Sequence, residues 1–185
     1  MPRPREADEV GDVSSRIPQQ SAAASGPNHP DNDAGLSAEL ASVVSGARRR
    51  ALRDGDRQID TAHLLHSLLE SDPEVRAAFD GAAQLARLLG YLVQRSIGYG
   101  LRWQGAVEDS GVVPVLTEAG WSPAASCAME RAQESAVLRG DERARGLDLL
   151  AALVADPRSR AVEVLAHAGV DVPVLRGGAA TESSR

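Results

Sequence analysis

From Leu36 onward the apolar residues fall at helical spacing, and the pattern occurs twice. Leu40, Val43, Val44, Ala47 and Ala51 recur at intervals of three and four, which places one apolar stripe on a helix. Ser37 stands before the stripe as N-cap, and Gly55 ends it between Asp54 and Asp56. Offset by 85 residues, Ala125, Ala128, Met129, Ala132 and Ala136 repeat the stripe. Here Ser122 is the N-cap, Pro123 takes the first helical position and Gly140 closes the helix. A shorter helix follows in each copy. In the first, Asp60 or Thr61 caps Ala62–Glu70, with Leu64, Leu65, Leu68 and Leu69 inward. In the second, Gly146 precedes Leu149, Leu150, Leu153 and Val154. Asp72-Pro73 and Asp156-Pro157 each predict a third helix, with Asp as N-cap and Pro next to it. A fourth helix is predicted from about Ala82 to Ile97. Its counterpart after Gly169-Val170-Asp171 is truncated to a Val172–Leu175 segment or absent.

The pattern predicts an all-α protein of two tandem four-helix copies in a pseudo-two-fold arrangement, the second copy truncated. Residues 1–35, rich in polar residues and without a period, are expected to be a disordered tail. The first copy spans 36–98, a linker 99–120 and the second copy 121–176, leaving 177–185 as a second tail. The linker holds Trp103, a polar Glu108-Asp109-Ser110-Gly111 stretch and the apolar run Val112–Leu116. Leu116-Thr117 offers another start for the second copy. Trp121-Ser122 is preferred because it keeps the offset free of gaps.

Composition narrows the chemistry. Aromatic residues make up 3% of the chain, so Ala, Leu and Val must build the core. All 20 basic residues are Arg, and a P-loop needs a Lys on its phosphates; ATP hydrolysis is excluded on that ground. A net charge of −6 argues against a nucleic-acid footprint. Arg48-Arg49-Arg50 reads as a solvated helix face. The single cysteine, Cys127, allows no internal disulfide and suits a reducing cytoplasm. The sequence holds no apolar run long enough for a membrane span and no secretory signal, so a cytoplasmic location is expected. His63, His66 and Glu70 share one helix face, but nothing in the sequence completes a metal site, and neither a metal nor a cofactor is expected. No nucleophile-elbow motif accompanies the Ser, His and Asp residues, so no enzymatic activity is expected.

The second helix reads Ile59-Asp60-Thr61-Ala62-His63-Leu64-Leu65-His66-Ser67-Leu68 in one copy and Ala144-Arg145-Gly146-Leu147-Asp148-Leu149-Leu150-Ala151-Ala152-Leu153 in the other. With the capped Ala-rich helix before it and the closing Ala168-Gly169-Val170-Asp171, this order resembles the double-repeat N-terminal domain of Clp AAA+ unfoldases, closest to the actinobacterial Clp C type. The resemblance covers about Leu36 to Arg176. It implies a free-standing N-domain without ATPase modules: a non-catalytic binding module of the Clp protease system, acting as adaptor, substrate receptor or decoy. The alternative is a regulatory or structural interaction protein that reuses the fold outside Clp proteolysis. Implied partners are Clp unfoldase or protease components, substrate proteins and cyclic-peptide antibiotics, with no nucleic acid and no membrane.

Two sites follow from the resemblance. The family's phosphoarginine positions map onto Thr61 and Ala62 and onto Gly146 and Leu147. Where the family motif carries a Glu, this chain has Ala62 and Leu147, which cannot accept a hydrogen bond from a guanidinium, so phosphoarginine binding is expected to be weak. The family's apolar groove between the first helices maps onto Leu36, Val44, Arg48, Trp121, Met129, Glu130 and Gln133. Trp121 is there either a binding anchor or a staple holding its helix to the core.

Overall fold

A computed structural model describes residues 36–96 and 120–183. Its described residues form eight helices and two short strands: α1 (Ala38–Asp54), β1 (Gln58–Ile59), α2 (Thr61–Ser71), α3 (Pro73–Ala77), α4 (Gly81–Ser96), β2 (Gly120–Trp121), α5 (Pro123–Arg139), α6 (Gly146–Ala155), α7 (Arg160–His167) and α8 (Val172–Ser183). The fold is all-α, as the periodicity predicts.

The two long helices are built alike. Both have 17 residues. The Ser37 hydroxyl accepts the Leu40 N–H at 3.1 Å, and Ser122 accepts the Ala125 N–H at 3.1 Å. Each satisfies an N–H that the first turn leaves without a helical partner. Both helices end on glycine in the left-handed region, Gly55 at φ 75° and Gly140 at φ 82°, where a side chain would be strained. The buried positions are the five predicted stripe residues in each helix.

The short helices α2 and α6 form the centre. Leu64, Leu65, Leu68 and Leu69 in α2 and Leu149, Leu150, Leu153 and Val154 in α6 are buried. Against α2 lie α1, α7 and α6, while α5 and α8 pack on α6. A helix covered on several sides needs apolar residues around most of its circumference, which is why these two segments are the most leucine-rich.

The copies hold each other at their entries. Trp121 pairs with Ile59 in the parallel β1–β2 ladder, and Leu36 forms a bridge with Ala144. The Ser122 N–H donates to the Ile59 carbonyl at 2.9 Å, and the Ser37 N–H donates to the Ala144 carbonyl at 3.1 Å. Leu36 matches Trp121 across the repeat offset, and Ile59 matches Ala144, so the exchange is mutual.

Three boundaries differ from the sequence reading. The Asp156 carboxylate accepts the Arg158 N–H at 3.0 Å and forms a turn, and Ser159 then caps α7 by accepting the Val162 N–H at 3.3 Å. The third helix of the second copy therefore starts at Arg160, whereas Asp72 starts α3 directly by accepting from Glu74 and Val75. Secondly, α8 continues to Ser183 and takes in residues expected as tail. Val172, Leu175 and Ala179 are buried, α8 packs on α6, and the Arg176 Nε–H donates to the Val154 carbonyl at 2.9 Å. That packing outweighs the low helix propensity of Gly177 and Gly178. Thirdly, Gly120, assigned to the linker, pairs with Gln58 in the ladder. The predicted N-terminal tail, the rest of the linker and Ile97 lie outside the described residues. No helix among the described residues is long and apolar enough to cross a membrane.

Candidate functional site

The starts of α2 and α6 carry the motif positions. Asp60 caps α2: its Oδ1 accepts the His63 N–H at 2.8 Å, and its Oδ2 accepts from Arg160 Nη1 of α7 at 2.8 Å. His63 lies between two carboxylates, with Nδ1 2.8 Å from Asp60 Oδ1 and Nε2 3.2 Å from Asp56 Oδ2. Burial opposes a charge on His63, but hydrogen bonds to Asp56 and Asp60 and their charges outweigh it and raise its pKa to about 9. Burial likewise opposes ionisation of Asp60, and His63 and Arg160 outweigh it, holding its pKa at about 2.

Donor atoms of Asp56, Asp60 and His63 lie within 4.8 Å of one another, a spacing within a metal's reach. The donor set does not fit one. Arg160 occupies Asp60 Oδ2, and both ring nitrogens of His63 are engaged, Nδ1 by Asp60 and Nε2 by Asp56. The cluster is an ion network in which Asp60 and His63 are buried and Asp56 lies at the surface. His66 and Glu70, which share the sequence face with His63, belong to a different group around Arg50.

The second copy inverts the same arrangement. Where the first has Asp54 beside His63, the second has Arg139 beside Asp148. The Arg139 Nη2 donates to Asp148 Oδ2 at 2.8 Å, and the Arg145 backbone N–H donates to the same oxygen at 2.8 Å. Both copies thus place an acid–base pair between the end of the long helix and the start of the next, with the signs exchanged.

Two of the four motif positions, Thr61 and Gly146, are joints between copies. The Thr61 hydroxyl accepts the Ala161 N–H at 3.0 Å. At Gly146 an added Cβ would lie 1.9 Å from Asp72 Oδ2, so only glycine fits there. Ala62 and Leu147 are buried. The first copy's motif meets α7, and the second's meets the carboxylate that starts α3.

The predicted groove residues do not come together at one surface. Leu36, Val44 and Met129 lie in the core. Trp121 is half-buried and packs against that core, and Arg48 is half-buried on α1. Glu130 and Gln133 come together with Glu134, Val137 and Leu138 to line a shallow groove of about 600 Å³ on α5. Val137 is 73% exposed and Leu138 88%. Sequence reasoning missed both. The available signal was two consecutive apolar residues off the helix stripe, immediately before the Arg139-Gly140 terminus.

No protein-family model matches the chain, and no curated protein matches it. Several solved structures do. The N-terminal domain of Hsp104 from Candida albicans is 14% identical and superposes with a TM-score of 0.62 over 81% of this chain and 93% of its own. The N-terminal domain of the caseinolytic protease associated chaperone ClpD from Arabidopsis thaliana is 18% identical, with a TM-score of 0.57 over 80% of this chain and 94% of its own. The N-terminal domain of the ClpV1 ATPase from E. coli is 20% identical, with a TM-score of 0.52 over 77% of this chain and 82% of its own. This chain therefore has the fold of the Clp and Hsp104 N-terminal domains.

Proposed function

We propose that this chain is a non-catalytic interaction module of the Clp type that holds a peptide-like ligand against the open face of α5, serving as adaptor, substrate receptor or decoy. The observation that carries the reading is the exposure of Val137 and Leu138, 73% and 88%, beside Glu130 and Gln133. Adjacent large apolar side chains left in water on a capped, rigid helix lower the cost of docking an apolar partner, and a polar rim sets its orientation. The fold supports the reading, since the similar chains are N-terminal domains of chaperones and an ATPase. The ion networks fit a non-enzymatic protein, because each charged group in them has a structural partner. The motif positions at Thr61, Ala62, Gly146 and Leu147 fit weak phosphoarginine binding, being apolar or engaged between copies.

The test is titration of a fluorescently labelled, capped apolar decapeptide, and of a cyclic-peptide antibiotic, into wild type, Val137→Asp and Leu138→Asp. Each variant should weaken binding about tenfold or more, on the scale of an interface anchor. Melting temperatures should stay within a few degrees, because exposed positions contribute little to stability. Unchanged binding in both variants would remove the α5 face from the mechanism.

A further inference from the structure

The solvated face expected for Arg48-Arg49-Arg50 is not uniform. Arg50 turns inward: its side chain is 14% exposed, its Nε donates to the Ser67 hydroxyl at 3.2 Å, and it pairs with Glu70. Arg49 remains exposed and has no ion pair among the described residues. Arg53 pairs with Asp54 at 3.0 Å. These three guanidinia line a cavity of about 270 Å³ between α1 and α2, together with Gly46, Ser67, Glu70 and Ser71. Gly46 keeps it open: a Cβ there would lie 3.0 Å from Ser67 Oγ, and any longer side chain would project into the cavity.

The fold does not require this arrangement. At the matching positions of the second copy, Gly46 is replaced by Arg131, Arg49 by Glu134, Arg53 by Leu138 and Glu70 by Ala155, while the stripe residues are retained in kind. A mid-helix glycine and three close like charges each carry a cost in stability. Burial lowers the pKa of Arg50 most; Glu70 opposes this, and the like charges of Arg53 and Arg49 add to it. Glu70 is 48% exposed, so it neutralises Arg50 from the rim. Of the three guanidinia at the cavity, Arg50 pairs with Glu70 and Arg53 with Asp54, which lies outside the lining, so one positive charge is left over.

We propose that the α1–α2 cavity is a second binding site, one that takes a carboxylate of an acidic segment of a partner protein. Guanidinium forks match planar carboxylates in geometry, and the single surplus charge matches a monoanion better than a phosphate dianion. Arg49 supplies the free fork, the Ser71 hydroxyl adds a donor at the exposed edge, and Glu70 is the competitor that an incoming carboxylate displaces from Arg50. The site is separate from the α5 groove and stands without it.

The experiment uses the full chain and an N-acetylated, C-amidated hexaglutamate peptide at low ionic strength, with sodium acetate and inorganic phosphate as competitors. Arg49→Glu, an exposed position, should weaken peptide binding at least about tenfold with an unchanged melting temperature. Glu70→Gln should tighten it about three- to tenfold, because the internal competitor is gone. Val137→Asp should leave it unchanged, which separates this site from the groove. Absence of binding in Glu70→Gln would overturn the proposal, as would Arg49→Glu binding like wild type. Acetate competing as well as the peptide, carboxylate for carboxylate, would reduce the site to a single small anion. Phosphate displacing the peptide at the lower concentration would overturn the preference for a carboxylate.

Discussion

His63 and His66 sit three residues apart on one helix and are driven in opposite directions. His63 faces Asp56 and Asp60, which outweigh burial and raise its pKa from 6.5 to about 9. His66 is lowered from 6.5 to about 4, by burial first and by Arg50 second, with Glu70 opposing; its Nε2 lies 3.3 Å from Glu70 Oε1, out of hydrogen-bonding alignment. The raised pKa means that His63 contributes its full stability below about 6.5 and loses it as pH rises through about 9. The lowered pKa means that the unfolded chain takes up the His66 proton first, so stability falls as pH drops from 6.5 towards 4. Stability should therefore peak near neutrality, with an alkaline decline on the order of 3 kcal/mol from His63. Urea unfolding across that range checks this. His63→Gln should flatten the alkaline limb and His66→Gln the acid one; limbs unaltered by these substitutions would assign the pH dependence elsewhere. Sequence alone placed both histidines on one face and could not assign their opposite titration. The deciding groups, Asp56 for His63 and Arg50 for His66, reach them through the fold.

Elements were legible where one periodic face decides the helix. α1, α2 and α5 follow their stripes and caps closely, because Ser37, Asp60 and Ser122 each accept an N–H three residues on, and α6 follows its stripe. Elements fixed by distant partners were not. α8 depends on packing against α6, and the start of α7 depends on whether Asp156 closes a turn or opens a helix. Of the residues that line the proposed α5 site, Glu130 and Gln133 were legible in sequence, though as part of a groove between the first helices. Glu130 and Gln133 are at the α5 face, but Leu36, Val44 and Met129 are consumed by the core, since an apolar residue at a stripe position packs inward. Trp121 stands between these outcomes. Its backbone belongs to the β1–β2 ladder, and its side chain packs on the core without lining the α5 groove. Trp121→Ala should therefore lower stability by about 2–4 kcal/mol, below or within the range for truncating a buried aromatic, and leave apolar-peptide affinity within about twofold. Thermal melts and titration on the same variant check it. A variant that folds as wild type does but loses the peptide would restore Trp121 as a binding anchor.

At the scale of the molecule, the repeat is legible in sequence as two copies, but their mutual dependence is not. Each long helix is entered through a backbone bridge to the other copy, and the α2 cap is completed by Arg160 and Ala161, 100 residues away. Asp60 is almost fully buried and ionised, and a carboxylate in that position without Arg160 carries an uncompensated charge. The central helices α2 and α6 touch each other, so either copy alone would leave a face of its leucine-rich helix in water. A piece of about 60 residues buries too little surface to absorb that loss. The two segments expressed separately, residues 36–98 and 120–183, should each lack cooperative thermal unfolding by circular dichroism, and an equimolar mixture should gain helix and a melting transition. The intact chain should unfold in one step. A cooperative melt in either isolated segment would mean that the copies are independent domains, and that the bridges between them join units already folded.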